Sequence, residues 1–174
     1  MRHILQSEWI QALNNEQQRL VQASIELYER ESGDSKKKLI DYSFIVFAMA
    51  KAFEGFLKQR FYELHLIDKN SYEGKRFRIG KALNPDVNER SQDEYWLYDD
   101  LSKMCGTEIA RDLWDAWLIC RNQVFHYYPK ESNVISLETA GSYLLKMGAA
   151  MKALIECQKN LDHHESDSKN VYTS

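Results

Sequence analysis

Glycine and proline are scarce in this sequence, which has seven glycines and two prolines among its 174 residues. Both residues are frequent in turns, so their scarcity argues against a turn-rich β fold and favours long helices. Long apolar runs are also missing. The longest uncharged apolar run, residues 42–50, is far shorter than the ~20 residues of a membrane-spanning helix. The N-terminus turns polar too early for a signal peptide, so we expect a cytoplasmic protein that does not bind membranes.

The sequence also lacks an excess of positive charge, because its net charge is −3 and its sequence pI is about 6.0. A protein with a negative net charge does not bind nucleic acid through its overall charge. Any RNA contact must therefore come from a local basic patch. Gly-rich phosphate loops and the H-E-x-x-H metal motif are both absent. We therefore expect no metal and no cofactor.

The three cysteines, Cys105, Cys120 and Cys157, are odd in number and show no C-x-x-C spacing. Each has apolar neighbours in the sequence. We therefore predict buried free thiols in a reducing cytosol, rather than disulfides or a zinc site.

Four segments repeat apolar residues with the period of a helix, at about 8–31, 36–66, 107–125 and 137–162. They predict an all-α protein, an up-and-down four-helix bundle with an irregular insertion at 68–101 between the second and third helices. Ser136 is the predicted cap of the last helix, and Gly141 and Gly148 on one of its faces predict close packing. One domain at 1–162 would be followed by a polar, disordered tail at 163–174.

A basic stretch lies within the predicted insertion, where Lys75, Arg76 and Arg78 alternate with Phe77 and two glycines. Cations beside an aromatic ring can hold phosphates and stack a base, so these three cations are candidate substrate-binding residues. The alternative is a solvated loop whose charge balances the acidic stretch 89–100.

The end of the third helix carries an unusual set of polar groups: Arg121, Asn122, His126 and Tyr128. Pro129 forces the helix to stop, which places His126 on its last turn and Tyr128 just past it. Asn122 and His126 are four residues apart and share a face. Arg121 and His126 point about 140° apart on a regular helix, so two facing copies of the chain would gather all four groups better than one.

The spacing of these residues, Arg-Asn followed by three residues and His, resembles the Arg-x4-6-His signature of the HEPN superfamily. The extension His126-Tyr127-Tyr128 is similar to the His-x-Tyr form of HepT-type toxins from HEPN/MNT toxin–antitoxin pairs. The resemblance implies a HEPN-like helical fold, RNA cleavage at a homodimer interface, and a cognate antitoxin, often a minimal nucleotidyltransferase. In HepT-type proteins the Tyr that matches Tyr128 receives AMP from that partner. The long insertion departs from the HepT pattern.

The residue types suit RNA cleavage without a metal, in which the ribose 2′-hydroxyl attacks the adjacent phosphorus. His126 is suited to remove the proton at neutral pH, and Arg121 to hold the negative charge that grows on phosphorus. Asn122 can orient the imidazole or donate to phosphate, and Tyr128 can donate to phosphate or stack a base. DNA lacks the 2′-hydroxyl and is not an expected substrate.

Two other interpretations stay open at this point. One is a non-catalytic HEPN-like module that binds a nucleotidyltransferase or another protein. The other is a plain helical protein in which Arg121 pairs with an acidic residue and helix carbonyls satisfy His126. Glu54 precedes Lys58 by four residues and is predicted to form a surface ion pair with it.

Overall fold

The computed structural model describes residues 1, 4, 6–34, 38–129 and 133–171, the last nine of these as backbone only. The part of the chain it describes is predominantly helical and contains no β-strand, which confirms the all-α prediction. A 3₁₀ turn lies at Glu89–Ser91, and a π-helical turn at Leu118–Gln123 continues α7. The helices are α1 Glu8–Gln11, α2 Asn15–Gly33, α3 Ser43–Glu63, α4 Lys69–Glu73, α5 Ile79–Leu83, α6 Tyr98–Cys105, α7 Thr107–Trp117 and α8 Leu137–Val171.

The first predicted helix is broken into α1 and α2, so the prediction of one helix over 8–31 is wrong. The cause is a capping box at the start of α2. The Gln17 N–H donates to Asn14 Oδ1 at 2.9 Å, and the Asn14 N–H donates to Gln17 Oε1 at 3.2 Å. The break is hard to see in the sequence because Trp9 and Leu13, on either side of the end of α1, are both buried.

The second long helix, α3, begins at Ser43 rather than at 36, and residues 36–37 lie outside the described residues. Asp41 fixes this start, because its carboxylate accepts from the Ser43 N–H at 3.1 Å and the Ser43 hydroxyl at 2.6 Å. The Ile135 N–H, just before α8, also donates to Asp41 at 3.0 Å. Burial alone would raise the pKa of Asp41, but these hydrogen bonds outweigh it and lower the pKa.

Helix α8 packs against α2, α3 and α7, and α3 packs against α2 and α7. The predicted cap is confirmed, since the Thr139 N–H donates to Ser136 Oγ at 3.0 Å. The predicted close packing is confirmed as well. A Cβ added at Gly141 would lie 2.6 Å from the Tyr28 ring, and one at Gly148 would lie 3.2 Å from the Trp9 ring. The core contains large side chains of α3, α7 and α8, among them Phe53, Phe56, Phe61, Leu113, Met147 and Leu154. Helix α2 contributes the smaller Val21 and Ile25.

The insertion at 68–101 is ordered by α4, α5, the 3₁₀ turn and the start of α6, so it is not irregular throughout. Ile79, Leu83 and Leu97 are buried in the core, which shows how the segment returns to the main helices. The Leu97 N–H donates to the Ala82 carbonyl at 2.8 Å and ties its two ends together. Helix α6 then closes the insertion, with Tyr98 and Leu101 buried.

The last helix continues to Val171, nine residues beyond the end predicted at 162. The stretch 163–171 was expected to be a disordered tail, but its backbone is helical. No glycine or proline interrupts it, and adding a residue to an existing helix needs no new nucleation. Residues 172–174 of the predicted tail lie outside the described residues.

Two of the three cysteines form a disulfide, so the prediction of free thiols is wrong for Cys105 and Cys157. Their Cα atoms are 5.6 Å apart, although the residues are separated by 52 positions in sequence. Cys105 ends α6 and Cys157 lies in α8, and the contact between these helices cannot be read from the spacing. Cys120 is free and buried, as predicted. Among the described helices, none has both the length and the apolar character needed to cross a membrane.

Candidate active site at the end of helix α7

The helix that carries the candidate residues changes from α to π geometry at Leu118–Gln123. Arg121 and Asn122 lie in this π turn. The regular helix predicted to 125 therefore ends at Gln123, and His126 lies just past the helix rather than on its last turn. The i→i+5 hydrogen bonding of a π turn is frequent at functional sites, and no sequence pattern used above distinguishes it from an α turn.

His126 is held on two sides although its side chain is exposed. Its Nε2 lies 3.1 Å from Asn122 Oδ1, as the four-residue spacing predicted. Asn133 Nδ2 donates to the His126 carbonyl at 2.5 Å and to the Gln123 carbonyl at 3.1 Å. The amide of Asn133 thus caps the helix end and fixes the backbone that carries the imidazole. The sequence analysis did not identify Asn133.

Arg121 forms an ion pair with Glu54 of α3, through Nε at 3.2 Å and Nη2 at 3.1 Å to the same carboxylate oxygen. The predicted pair between Glu54 and Lys58 is wrong, because Lys58 donates to the Gly74 carbonyl at 2.5 Å instead. The Arg121 and Glu54 side chains are 33% and 45% exposed. An ion pair this open to water contributes about 0–1 kcal/mol, so an incoming phosphate can compete with Glu54 for the guanidinium.

A tryptophan beside Arg121 joins the site to the insertion. The Arg121 guanidinium lies 5.5 Å from the centre of the Trp117 ring, a cation–π distance. The same ring also packs against Gly80 of α5, where an added Cβ would lie 2.2 Å from it. Only glycine allows this approach. Trp117 and Gly80 were not predicted as site residues, and no motif marks them.

The four predicted residues line two cavities rather than one. Arg121 and Asn122 line a cavity of about 530 Å³ that also includes Trp117. His126 and Tyr128, whose rings are 6.4 Å apart, line a second cavity of about 690 Å³. The two cavities are connected by the hydrogen bond that Asn122 Oδ1 accepts from His126 Nε2. One chain therefore does not bring Arg121 and His126 to one cavity.

A cluster of exposed apolar side chains lies beside His126, and we call it the Phe47 patch. Tyr127 is 86% exposed and Phe47 is 55% exposed, which is unusual for side chains of this size. Phe47 packs edge-on against Phe125 with ring centres 5.5 Å apart. The patch consists of Phe47 and of Phe44 three residues before it on α3, together with Phe125, Tyr127 and Val134, which line the cavity of His126.

The thiol of Cys120, the residue before Arg121, is not suited to act as a nucleophile. Burial raises the pKa of Cys120 to about 12, and the positive charge of Lys146 lowers it only in part. The thiol therefore stays protonated at neutral pH, and the thiolate is the reactive form. In the described ranges, no group of three or more His, Cys, Asp or Glu side chains is placed to hold a metal ion.

The predicted substrate-binding cations lie together. Lys75, Arg76 and Arg78 all line a third cavity of about 700 Å³, with Phe77 and Tyr95. Arg78 also lines the cavity of Arg121, whereas Lys75 and Arg76 do not. The side chains of Lys75, Arg76 and Arg78 are exposed, as the solvated-loop alternative also predicts.

No model of a known protein family matches the chain, and searches of curated proteins and of solved structures likewise find no match. The functional conclusion therefore depends on the geometry and chemistry of the residues themselves.

Proposed function

We propose that this chain is a metal-independent endoribonuclease of the HEPN type, acting as a homodimer whose subunits are up-and-down bundles of α2, α3, α7 and α8. The observation that carries the proposal is the contact between Asn122 and His126 next to Arg121, at a π-helical turn. It supports assigning His126 as the base, Asn122 as the group that orients it and Arg121 as a phosphate ligand, within six consecutive residues.

The proposed reaction begins at His126. Asn122 Oδ1 can only accept, so the facing Nε2 carries a proton and Nδ1 is free to act as the base. Nδ1 takes the proton of the ribose 2′-hydroxyl, O2′ bonds to phosphorus, and the bond to the 5′ oxygen breaks. The leaving oxygen gains a proton, which gives a 2′,3′-cyclic phosphate and a 5′-hydroxyl. No metal is part of this scheme, and DNA has no 2′-hydroxyl to react.

Arg121 is proposed to stabilise the charge that develops on phosphorus. Its ion pair with Glu54 is open to solvent, so a phosphate oxygen can replace the carboxylate. A planar guanidinium holds two phosphate oxygens at once. Tyr128, whose side chain is exposed beside His126, is placed to donate to phosphate or to stack a base.

A second copy of the chain would complete the site. Arg121 and His126 of one chain line separate cavities, and the Phe47 patch beside His126 is apolar and exposed. A two-fold contact would bury the Phe47 patch of both copies. It would also bring Arg121 and His126 of one copy close to Arg121 and His126 of the other. This is the arrangement that the divergence of Arg121 and His126 requires.

A toxin of this kind would act on cytoplasmic RNA and need an antitoxin, which we propose to be a minimal nucleotidyltransferase. Reducing conditions there would favour the open, dithiol form of Cys105 and Cys157. Attachment of AMP to Tyr128 would add bulk and negative charge where RNA phosphate binds. We expect added AMP by intact-mass analysis after coexpression with such a transferase. A Tyr128→Phe chain that still gains this mass would refute the assignment.

Cleavage of labelled RNA in excess EDTA tests the activity. We expect wild type to cut single-stranded RNA, and Arg121→Ala to cut about 10²–10³-fold more slowly, because one charge-stabilising donor is lost. Arg111→Ala is the matched control, since Arg111 is an exposed arginine of α7 that lines none of the three cavities. Equal rates for the two variants would remove Arg121 from the mechanism.

The ion pair between Arg121 and Glu54 is what the plain helical interpretation predicts for Arg121. The second candidate function is a non-catalytic binding module, which the exposed Phe47 patch favours as a surface for another protein. The same assay separates the two. If pure wild-type dimer leaves diverse RNAs intact, the binding module takes the place of the enzyme.

A further inference from the structure

The cavity in the insertion, which we call the Phe77 cavity, has the dimensions of a small-ligand site. Its volume of about 700 Å³ lies within the range of about 300–1,000 Å³ found for such sites. Two aromatic residues line it: Phe77, which is half-buried, and Tyr95, which is exposed, with ring centres 6.2 Å apart. Phe77 also packs edge-on against Phe61 of the core at 6.3 Å. The aromatic wall is therefore fixed rather than loose.

The charge of the cavity indicates an anionic ligand. Lys75, Arg76 and Arg78 are exposed, and none of them forms an ion pair or hydrogen bond with another described residue. Lys81 lines the cavity as well, but its charge is taken up by Asp93, whose pKa that hydrogen bond lowers. Three unpaired cations around two rings stand out on a chain whose net charge is −3.

The loop that forms the cavity is held in place by the surrounding structure. Lys58 of α3 donates to the Gly74 carbonyl at 2.5 Å, just before the basic stretch. Trp96 Nε1 donates to the Asn84 carbonyl at 2.8 Å on the far side. Gly80, two residues after Arg78, packs directly on the Trp117 ring. A ligand therefore meets a site that is largely preformed.

Three residues connect this cavity with the one that holds Arg121. Phe77, Arg78 and Lys81 line both cavities. A strand whose phosphate contacts Arg78 would continue from the Phe77 cavity into the cavity of Arg121.

From this geometry we infer that the Phe77 cavity binds an unpaired nucleotide of a single-stranded RNA, one that does not flank the bond that is cut. The base stacks on the exposed ring of Tyr95, which stands edge-to-face against Phe77, and Lys75, Arg76 and Arg78 hold the flanking phosphates. The inference rests on the proposed ribonuclease function for the identity of its ligand. It adds that the substrate must be single-stranded there, because a paired base cannot enter, and that it must be long enough to span both cavities.

Binding of a fluorescein-labelled oligouridine of about 12 nucleotides to the His126→Asn chain tests the site without cleavage. We expect Lys75→Ala/Arg76→Ala to weaken binding and to reduce the slope of log affinity against log salt by about 1.4, or about 0.7 for each lost phosphate contact. Tyr95→Ala should weaken binding about tenfold, through lost stacking. Lys103→Ala/Arg111→Ala, which removes the same charges from exposed positions outside the cavity, should change neither quantity.

A cleavage assay separates this inference from the proposed function. In the wild-type background, Lys75→Ala/Arg76→Ala should slow cleavage of the 12-nucleotide RNA and leave cleavage of a dinucleotide unchanged, since both nucleosides of a dinucleotide flank the bond that is cut and none remains for the Phe77 cavity. If no RNA is cut but binding still depends on Lys75, Arg76 and Tyr95, the proposed function fails and the binding site stands. If RNA is cut and both double variants bind and cut the longer RNA equally well, the Phe77 cavity is not a nucleotide site.

Discussion

Replacing His126 by Asn is expected to slow RNA cleavage by about 10²–10⁴-fold, the usual contribution of a general acid–base group. An amide cannot take the proton of the 2′-hydroxyl at neutral pH. The fold should persist, because the imidazole is exposed and its one side-chain partner, within the described part of the chain, is Asn122. Initial rates on one labelled RNA, with circular dichroism on the same samples, measure both effects.

His65→Asn is the matched control for this change. His65 is exposed, just beyond α3, and has a positive φ of 58° that Asn tolerates better than most residues. It lines none of the three cavities described above. Wild-type cleavage by the His126→Asn chain would show that another group removes the proton, and the assignment of the base would be lost.

Placing a charge in the Phe47 patch should abolish both dimerisation and cleavage. Phe47→Glu would put a carboxylate on an apolar surface that the second copy must cover, and a buried unpaired charge is too costly to accept. We expect light scattering to report a dimer for wild type and a monomer for the variant. The rate of RNA cleavage should fall when the dimer is lost, because one chain does not bring Arg121 and His126 to one cavity.

Leu145→Glu provides the comparison, since Leu145 is also apolar and 50% exposed but lies on α8 outside the patch. A dimer with Phe47→Glu, or an active monomer, would contradict the shared site.

Mixing Arg121→Ala with His126→Asn chains adds a direct measurement. If each cleft takes Arg121 from one copy and His126 from the other, mixed dimers contain one intact cleft and regain activity. Clefts built within one chain would regain none.

The helical class could be predicted from the sequence because it depends on a periodicity that burial imposes along each helix. The Ser136 cap and the close packing at Gly141 and Gly148 could be predicted for a similar reason, since a cap and a glycine act locally. The break at Asn14 was missed because apolar residues continue across it, although the Asn14 and Gln17 pair is a recognisable capping signal.

The candidate site was predicted in part. The contact between Asn122 and His126 could be predicted from their four-residue spacing. The structure contains this contact although Asn122 lies in a π turn rather than in an α-helix. The pairing of Arg121 with Glu54 and the packing of Gly80 on Trp117 depend on which helices meet, and spacing within one segment does not contain that information. The disulfide was missed for the same reason, since Cys105 and Cys157 meet only once α6 and α8 are in place.

That disulfide closes a covalent ring around the candidate site. The residues from Arg121 to Tyr128 lie between Cys105 and Cys157, as does the connection that leads from α7 to α8. A single backbone cut in that connection would leave one covalent molecule, because the bridge still joins the two pieces. While the bridge is closed, it lowers the conformational entropy of the unfolded chain. For a ring of this size, this stabilises the folded state by about 4 kcal/mol. With the bridge open, the same cut would separate Arg121 and His126 from α8 in covalent terms, and only packing would keep the site together.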